Sequence, residues 1–187
     1  HDLNQLVSAE LVYSEGAPPN ATYQFKHALI VDAAYHSLLR SSRRRIHGAV
    51  ARVVLQQFPE RAANEPEWVA YHYAQAGQPK EAAEYWLHAA GGAVERCSYR
   101  EADEQLIRVL GMIEDLPSAD DRIDYELRAQ MLCGAVHSNL DGQGSDARLN
   151  SYLRARALCV VQQDQRQLLF ILLPLQRGYA VRGQLDE

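Results

Sequence analysis

The sequence predicts a mainly α-helical chain of antiparallel helix pairs, preceded by one β-hairpin, and three observations carry that expectation. From His27 onward the apolar residues recur at three- and four-residue steps. Ahead of them, one pair of short alternating segments flanks a turn cluster of Gly16, Pro18, Pro19 and Asn20. The third observation is the stretch from Pro66 to Ala90, which writes two helices with a stop between them. Trp68, Val69, Tyr73 and Ala76 recur at helical spacing, Gly77 ends the first helix, and Pro79 opens the second, where a missing N–H costs nothing. Ala82, Ala83, Trp86 and Ala89 share a face of the second helix. Small residues at Ala70, Gly77, Ala82 and Ala89 let the two helices approach, and Tyr73 and Trp86 fill the gaps between them.

Taken in order, Leu3, Leu6, Val7 and Leu11 predict a short helix that enters a strand near Leu11 to Ser14. The hairpin returns through Tyr23 and Phe25. His27 to Leu39 reads as a helix with Ile30, Ala33, Ala34 and Leu38 inward. Ser41 or Ser42 is expected to cap the next, whose stripe of Ile46, Val50, Val53 and Val54 ends near Phe58 and Pro59. Beyond the central pair, the second helix continues through Val94 to Arg96. Tyr99, Ala102, Leu106, Val109, Leu110 and Ile113 mark another helix, ending at Leu116 and Pro117. Ala82 and Ala102 are only 20 residues apart, so one helix is expected to serve both the preceding and the following pair. Asp120 or Asp121 opens a helix carrying Tyr125, Leu127, Met131, Leu132 and Val136, and LDGQGS at Leu140 to Ser145 breaks it. Asp146 is the expected cap of a helix with Leu149, Leu153, Ala157 and Val160. The last helix runs from Gln165 to Gly183, with a kink or break expected at Pro174.

The order and spacing of Ala70, Tyr73, Gly77, Ala82, Trp86 and Ala89 (small, Tyr, Gly, small, aromatic, small) resembles the tetratricopeptide repeat of about 34 residues. Pro66 stands where that repeat carries a tryptophan. Tyr179 and Gly183 repeat the step from Tyr73 to Gly77, and the next small residue falls due beyond Glu187, so the array is expected to be truncated at its C-terminus. The resemblance implies a superhelix of helix pairs over residues 59–187. Residues 1–58, with a helix, a hairpin and two helices, look like part of a winged helix. The run from Tyr23 to Ala51, followed by the helix pair, is similar to the region after the ATPase core of bacterial signalling ATPases of the AAA/STAND type. Those proteins are often fused to an adenylate or guanylate cyclase or to a DNA-binding domain. The likeness covers Leu6 to about Ala90 and continues more loosely to the end. It implies a noncatalytic, cytoplasmic regulatory module that binds another protein or a neighbouring domain of the same chain, in a parent that carries ATPase or cyclase activity elsewhere.

Composition narrows the function classes. Apolar residues make up 47% and charged ones 23% of 187, which fits a folded rather than a disordered chain. A net charge of -5 argues against bulk attraction to nucleic acid. Cys97, Cys133 and Cys159 are odd in number and far apart, with no CxxC, so free and buried thiols in a reducing compartment are expected. The longest apolar run, Leu168 to Leu173, is too short to cross a bilayer and precedes Pro174. No GxxxxGK[ST], HExxH or GxSxG is present, and Gly142 and Gly144 lack the strand and lysine of a phosphate loop. His27, His36, His47, His72, His88 and His137 are scattered, so no catalytic residue, cofactor or metal ligand is expected.

Two groups remain as interaction candidates. Arg40, Arg43, Arg44 and Arg45, with His47 and Arg52, offer donors to phosphate, and with the winged-helix remnant they define the alternative function of a nucleic-acid-binding module. Adjacent arginines spread around a helix, which weighs toward a solvated helix start. Tyr71 falls off the packing stripe and is the candidate for a groove contact. Leu169, Leu172 and Leu173 are expected to be uncovered, or masked by a second copy in a homodimer through the terminal helix.

Overall fold

The computed structural model describes residues 2–17, 21–162 and 165–183. It is mainly helical with one small two-stranded antiparallel sheet. The chain divides into two units, 1–46 and 47–187.

In the first unit α1 (Asp2–Ser8) leads into β1 (Val12–Glu15) through Glu10, which takes the left-handed conformation at φ 57°. Leu11 N–H donates to Leu6 O at 3.0 Å and closes that turn. β1 pairs antiparallel with β2 (Thr22–Phe25), placing Val12 opposite Phe25 and Glu15 opposite Thr22, which is the expected hairpin. α2 (Ala28–Ser37) corrects one expectation. Ile30 is half-buried, but Ala33, Ala34 and Leu38 of the supposed inner face are exposed. Two strands of four residues cover too little area to bury a helix face.

α3 (Arg40–Gln57) spans the division between the units. Ser41 and Ser42 lie inside its first turn rather than capping it. Its buried residues are His47, Gly48, Ala51 and Val54, whereas Ile46 and Val53 of the expected stripe are exposed. Close approach decides the difference. A methyl group on Gly48 would already sit 3.5 Å from Ala76 Cβ and 3.3 Å from Gln78 Oε1, so the small-residue side is the one that fits there.

The rest of the second unit consists of α4 (Pro59–Asn64), α5 (Pro66–Ala76), α6 (Pro79–Glu95), α7 (Tyr99–Gly111), a 3-10 turn (Ile113–Asp115), α8 (Ala119–Leu140), α9 (Asp146–Gln162) and α10 (Gln165–Arg182). Proline stands at the first position of α4, α5 and α6, as its fixed φ favours. Gly77 ends α5 at φ 72°, and Gln78 N–H reaches back to Tyr73 O at 3.0 Å. Two caps differ from expectation. Ser118, not Asp120 or Asp121, caps α8 by accepting from Asp121 N–H, and Ser145, not Asp146, accepts from Arg148 N–H at the start of α9. In both places the hydroxyl sits three residues before the N–H it serves, the reach a cap needs.

One apolar core joins Ala70, Tyr73, Ala82, Trp86, Ala90, Ala102, Leu106 and Val109 to Ala129, Cys133 and Val136. Tyr73 stacks on Tyr85 with centroids 5.7 Å apart, and the Arg108 guanidinium lies 5.0 Å above the Trp86 ring. Ala89 is buried as well. α6 packs on α5 and α7 and also meets α8, which is the shared-helix role expected of it. A second core gathers Leu127, Leu149, Tyr152, Ala155, Leu158, Cys159, Ile171 and Leu175 between α8, α9 and α10. Tyr179 packs against it, and Gly183 follows α10 at φ 71°, the conformation of Gly77. α10 passes through Pro174 without a break. Cys133 and Cys159 are buried as expected, but Cys97 is exposed, because it forms the turn between α6 and α7 at φ 57°.

Candidate functional site

Four places in the chain bring polar or uncovered apolar groups together, and only some of them were marked by the sequence. The arginine cluster stays dispersed. Arg40, Arg44 and Arg45 are exposed on the first turns of α3, and the Arg43 guanidinium lies 5.1 Å from the centre of the Tyr35 ring. Among the described residues, no ion pair involves any of the four.

Tyr71 is exposed, but it does not line a groove by itself. It sets its ring edge-on to His47 and His72, at 5.9 and 5.6 Å, and Trp68 meets His72 at 4.8 Å. Within this group the Nδ1 atoms of His47 and His72 lie 2.8 Å apart. One of them donates and the other accepts, so the contact fails once both rings are protonated. Burial lowers the pKa of both rings, and for His72 the nearby His47 charge lowers it further. The unfolded chain therefore binds protons more readily than the folded one. The contribution is full above the ordinary value of 6.5 and is lost as pH falls below it. The melting temperature is expected to drop between pH 8 and pH 5, and His72→Gln should flatten that fall. An unchanged slope in the variant would show that the pair does not titrate with folding.

On α8 the histidines are not as scattered as expected. Cys133 and His137 are four residues apart, and His137 Nε2 lies 3.2 Å from Asp103 Oδ1 on α7. The Cys133 thiol is pushed up to about 12, chiefly by burial and next by the Asp103 charge. Burial thus keeps this thiol in its protonated, weakly nucleophilic form at neutral pH. Among the described residues, no group of three or more His, Cys, Asp or Glu side chains is placed to hold a metal.

The most developed polar site lies between α8, α9 and α10, where sequence reading marked nothing. Arg148 on α9 is 2% exposed. Its Nε donates to Ser138 Oγ at 2.9 Å, Nη1 to Gln143 O at 2.7 Å and Nη2 to Pro174 O at 2.7 Å, while the guanidinium lies 5.1 Å from the centre of the Tyr152 ring. Pro174 thus supplies a carbonyl that ties α10 to α9. Gly178 makes room for this arrangement, since a Cβ there would lie 2.7 Å from Arg148 Nη1. Beside the guanidinium opens a cavity of about 660 Å³, lined among others by Ser138, Asn139, Tyr152, Gln176 and Arg177.

The outer side of α10 is apolar and open. Leu169, Phe170 and Leu173 are 65%, 69% and 67% exposed, and Leu172 is 40% exposed. These are the leucines expected to be uncovered. No family model, curated protein or solved structure matches the chain. Among the described residues no helix is long and apolar enough to cross a membrane.

Proposed function

We propose that this chain is a noncatalytic, tetratricopeptide-like helical module that works by binding an amphipathic helix of another protein or of a neighbouring domain, in a bacterial signalling ATPase or cyclase-type parent. The observation that carries the reading is the open side of α10. Leu169, Phe170, Leu172 and Leu173 present contiguous apolar area at the spacing by which one helix packs on another. Between Gln165 and Gly183 the sequence holds no carboxylate, and Arg177, one turn beyond Leu173, has no carboxylate partner among the described residues, so the complementary helix carries an acidic residue beside its apolar stripe. The same charge pattern disfavours a second copy of α10, which would bring arginines against arginines.

The experiment uses two synthetic helical peptides with one leucine stripe, flanked in one by glutamates and in the other by lysines. The acidic peptide is expected to bind the purified chain and to lose its affinity for Leu169→Gln and Phe170→Gln. Sedimentation of the chain alone reads the competing outcome. A stable dimer that those substitutions dissolve would replace the amphipathic partner with a second copy, and equal binding of both peptides would remove the charge argument.

A further inference from the structure

We propose that the cavity between α8, α9 and α10 binds a small anion through a carboxylate or phosphate group, with Arg177, Asn139 and Gln176 as its donors and Arg148 holding the cavity in shape. The inference is independent of the apolar docking face. It starts from a mismatch of charge. Arg148 is almost fully buried, and its three hydrogen-bond acceptors, a hydroxyl and two backbone carbonyls, are all neutral. Neutral acceptors satisfy donors without cancelling the charge, and a buried charge is ordinarily paired. The charged neighbour that acts on Arg148 is another cation, Arg177. Burial is the main cause that lowers the pKa of Arg148, Tyr152 opposes it next, and the like charge of Arg177 adds a smaller lowering.

Other arginines of the same unit are paired with carboxylates. Arg128 meets Glu84 at 2.8 Å, Arg154 meets Glu126 at 2.6 Å, and Arg182 meets Asp146. Each reaches a carboxylate on a different helix. Arg177 is exposed at the cavity wall and, among the described residues, has no carboxylate partner. Two guanidinium groups therefore face one cavity whose described lining residues include no carboxylate. Three of the five N–H donors of Arg148 are used, which leaves two. Gln176 adds an amide to the same wall, and Asn139, whose Nδ2 donates one hydrogen to Ala135 O at 2.9 Å, keeps a second. The volume of about 660 Å³ lies within the range of about 300 to 1,000 Å³ that small-molecule sites occupy. Guanidinium matches the planar carboxylate and the phosphate oxygens in geometry as well as in charge.

The test titrates the purified chain with inorganic phosphate and, separately, with succinate, at ionic strength held constant with chloride. Amide shifts of Asn139, Arg148 and Arg177 are followed by nuclear magnetic resonance, and affinity by calorimetry. Saturable shifts confined to the cavity are expected, and the tighter of the two anions identifies which group the site takes. Arg177→Gln should weaken binding by about tenfold or more, because it removes a charged donor. Arg156→Gln, elsewhere on α9 and outside the cavity, should leave it unchanged. A linear, unsaturating response to both anions overturns the proposal, as does an Arg177→Gln variant that binds like the unaltered chain.

Discussion

Trp86→Ala is expected to destabilise the second unit by about 3 to 5 kcal/mol, and Ala82→Glu by at least as much. Trp86 is 7% exposed and sits in the core shared by α5, α6, α7 and α8. Its truncation removes the largest ring in that core, with Arg108 above it and little freedom for the surrounding alanines to close the gap. Ala82 is fully buried at the point where α6 meets its neighbours, so a carboxylate there loses its water. Lys80 makes a poor surface control, because it pairs with Asp121 on α8 at 2.9 Å. Glu104→Ala, on the exposed side of α7, is the better reference. Denaturant unfolding of the three variants should separate the two core substitutions from the control by several times the experimental error. Midpoints that coincide would mean the Trp86 face is not what holds these helices together.

The helix pair of α5 and α6 is legible in the sequence because its signals are local. Pro66, Gly77 and Pro79 set helix ends through their own backbone restrictions, whatever lies around them. The buried side of α3 is not legible in that way. Ile46 and Val53 are the more apolar choice, yet Gly48 and Ala51 face inward because the end of α5 comes too close for larger groups. His47 and His72 meet across 25 positions of chain, and nothing in the apolar spacing of either helix announces it. Arg148 reads as an ordinary solvated arginine of α9, since the three acceptors that bury it come from α8, the following loop and α10. The open leucines of α10 were expected from an interrupted repeat pattern, and their exposure is read directly from the structure.

Arg148→Met should destabilise the packing of α10 on α8 and α9 by about 3 kcal/mol, the cost of leaving two buried acceptors without donors. Two effects oppose each other. Methionine keeps much of the apolar stem and removes a buried charge, which relieves desolvation. Against that, Gln143 O and Pro174 O lose donors at 2.7 Å, and Ser138 Oγ loses one at 2.9 Å. Pro174 O keeps its partner within α10, but Gln143 O and Ser138 Oγ lose the guanidinium at about 1 to 3 kcal/mol each, so the loss outweighs the relief. Gly178→Ala tests the same joint from the other side. Alanine in place of glycine ordinarily favours a helix by about 1 kcal/mol. Here its Cβ would lie 2.5 Å from Leu149 Cδ2 and 2.7 Å from Arg148 Nη1, and forcing both to move costs about 1 to 3 kcal/mol. Gly91→Ala provides the contrast, since nothing lies within 4 Å of its Cβ and the helix preference should show as a gain. Hydrogen exchange distinguishes a local effect from a global one: both joint variants should speed exchange in α10 more than in α5 and α6. Uniform acceleration through every helix, or a Gly178→Ala variant as stable as Gly91→Ala, would show that Arg148 does not hold α10 in place.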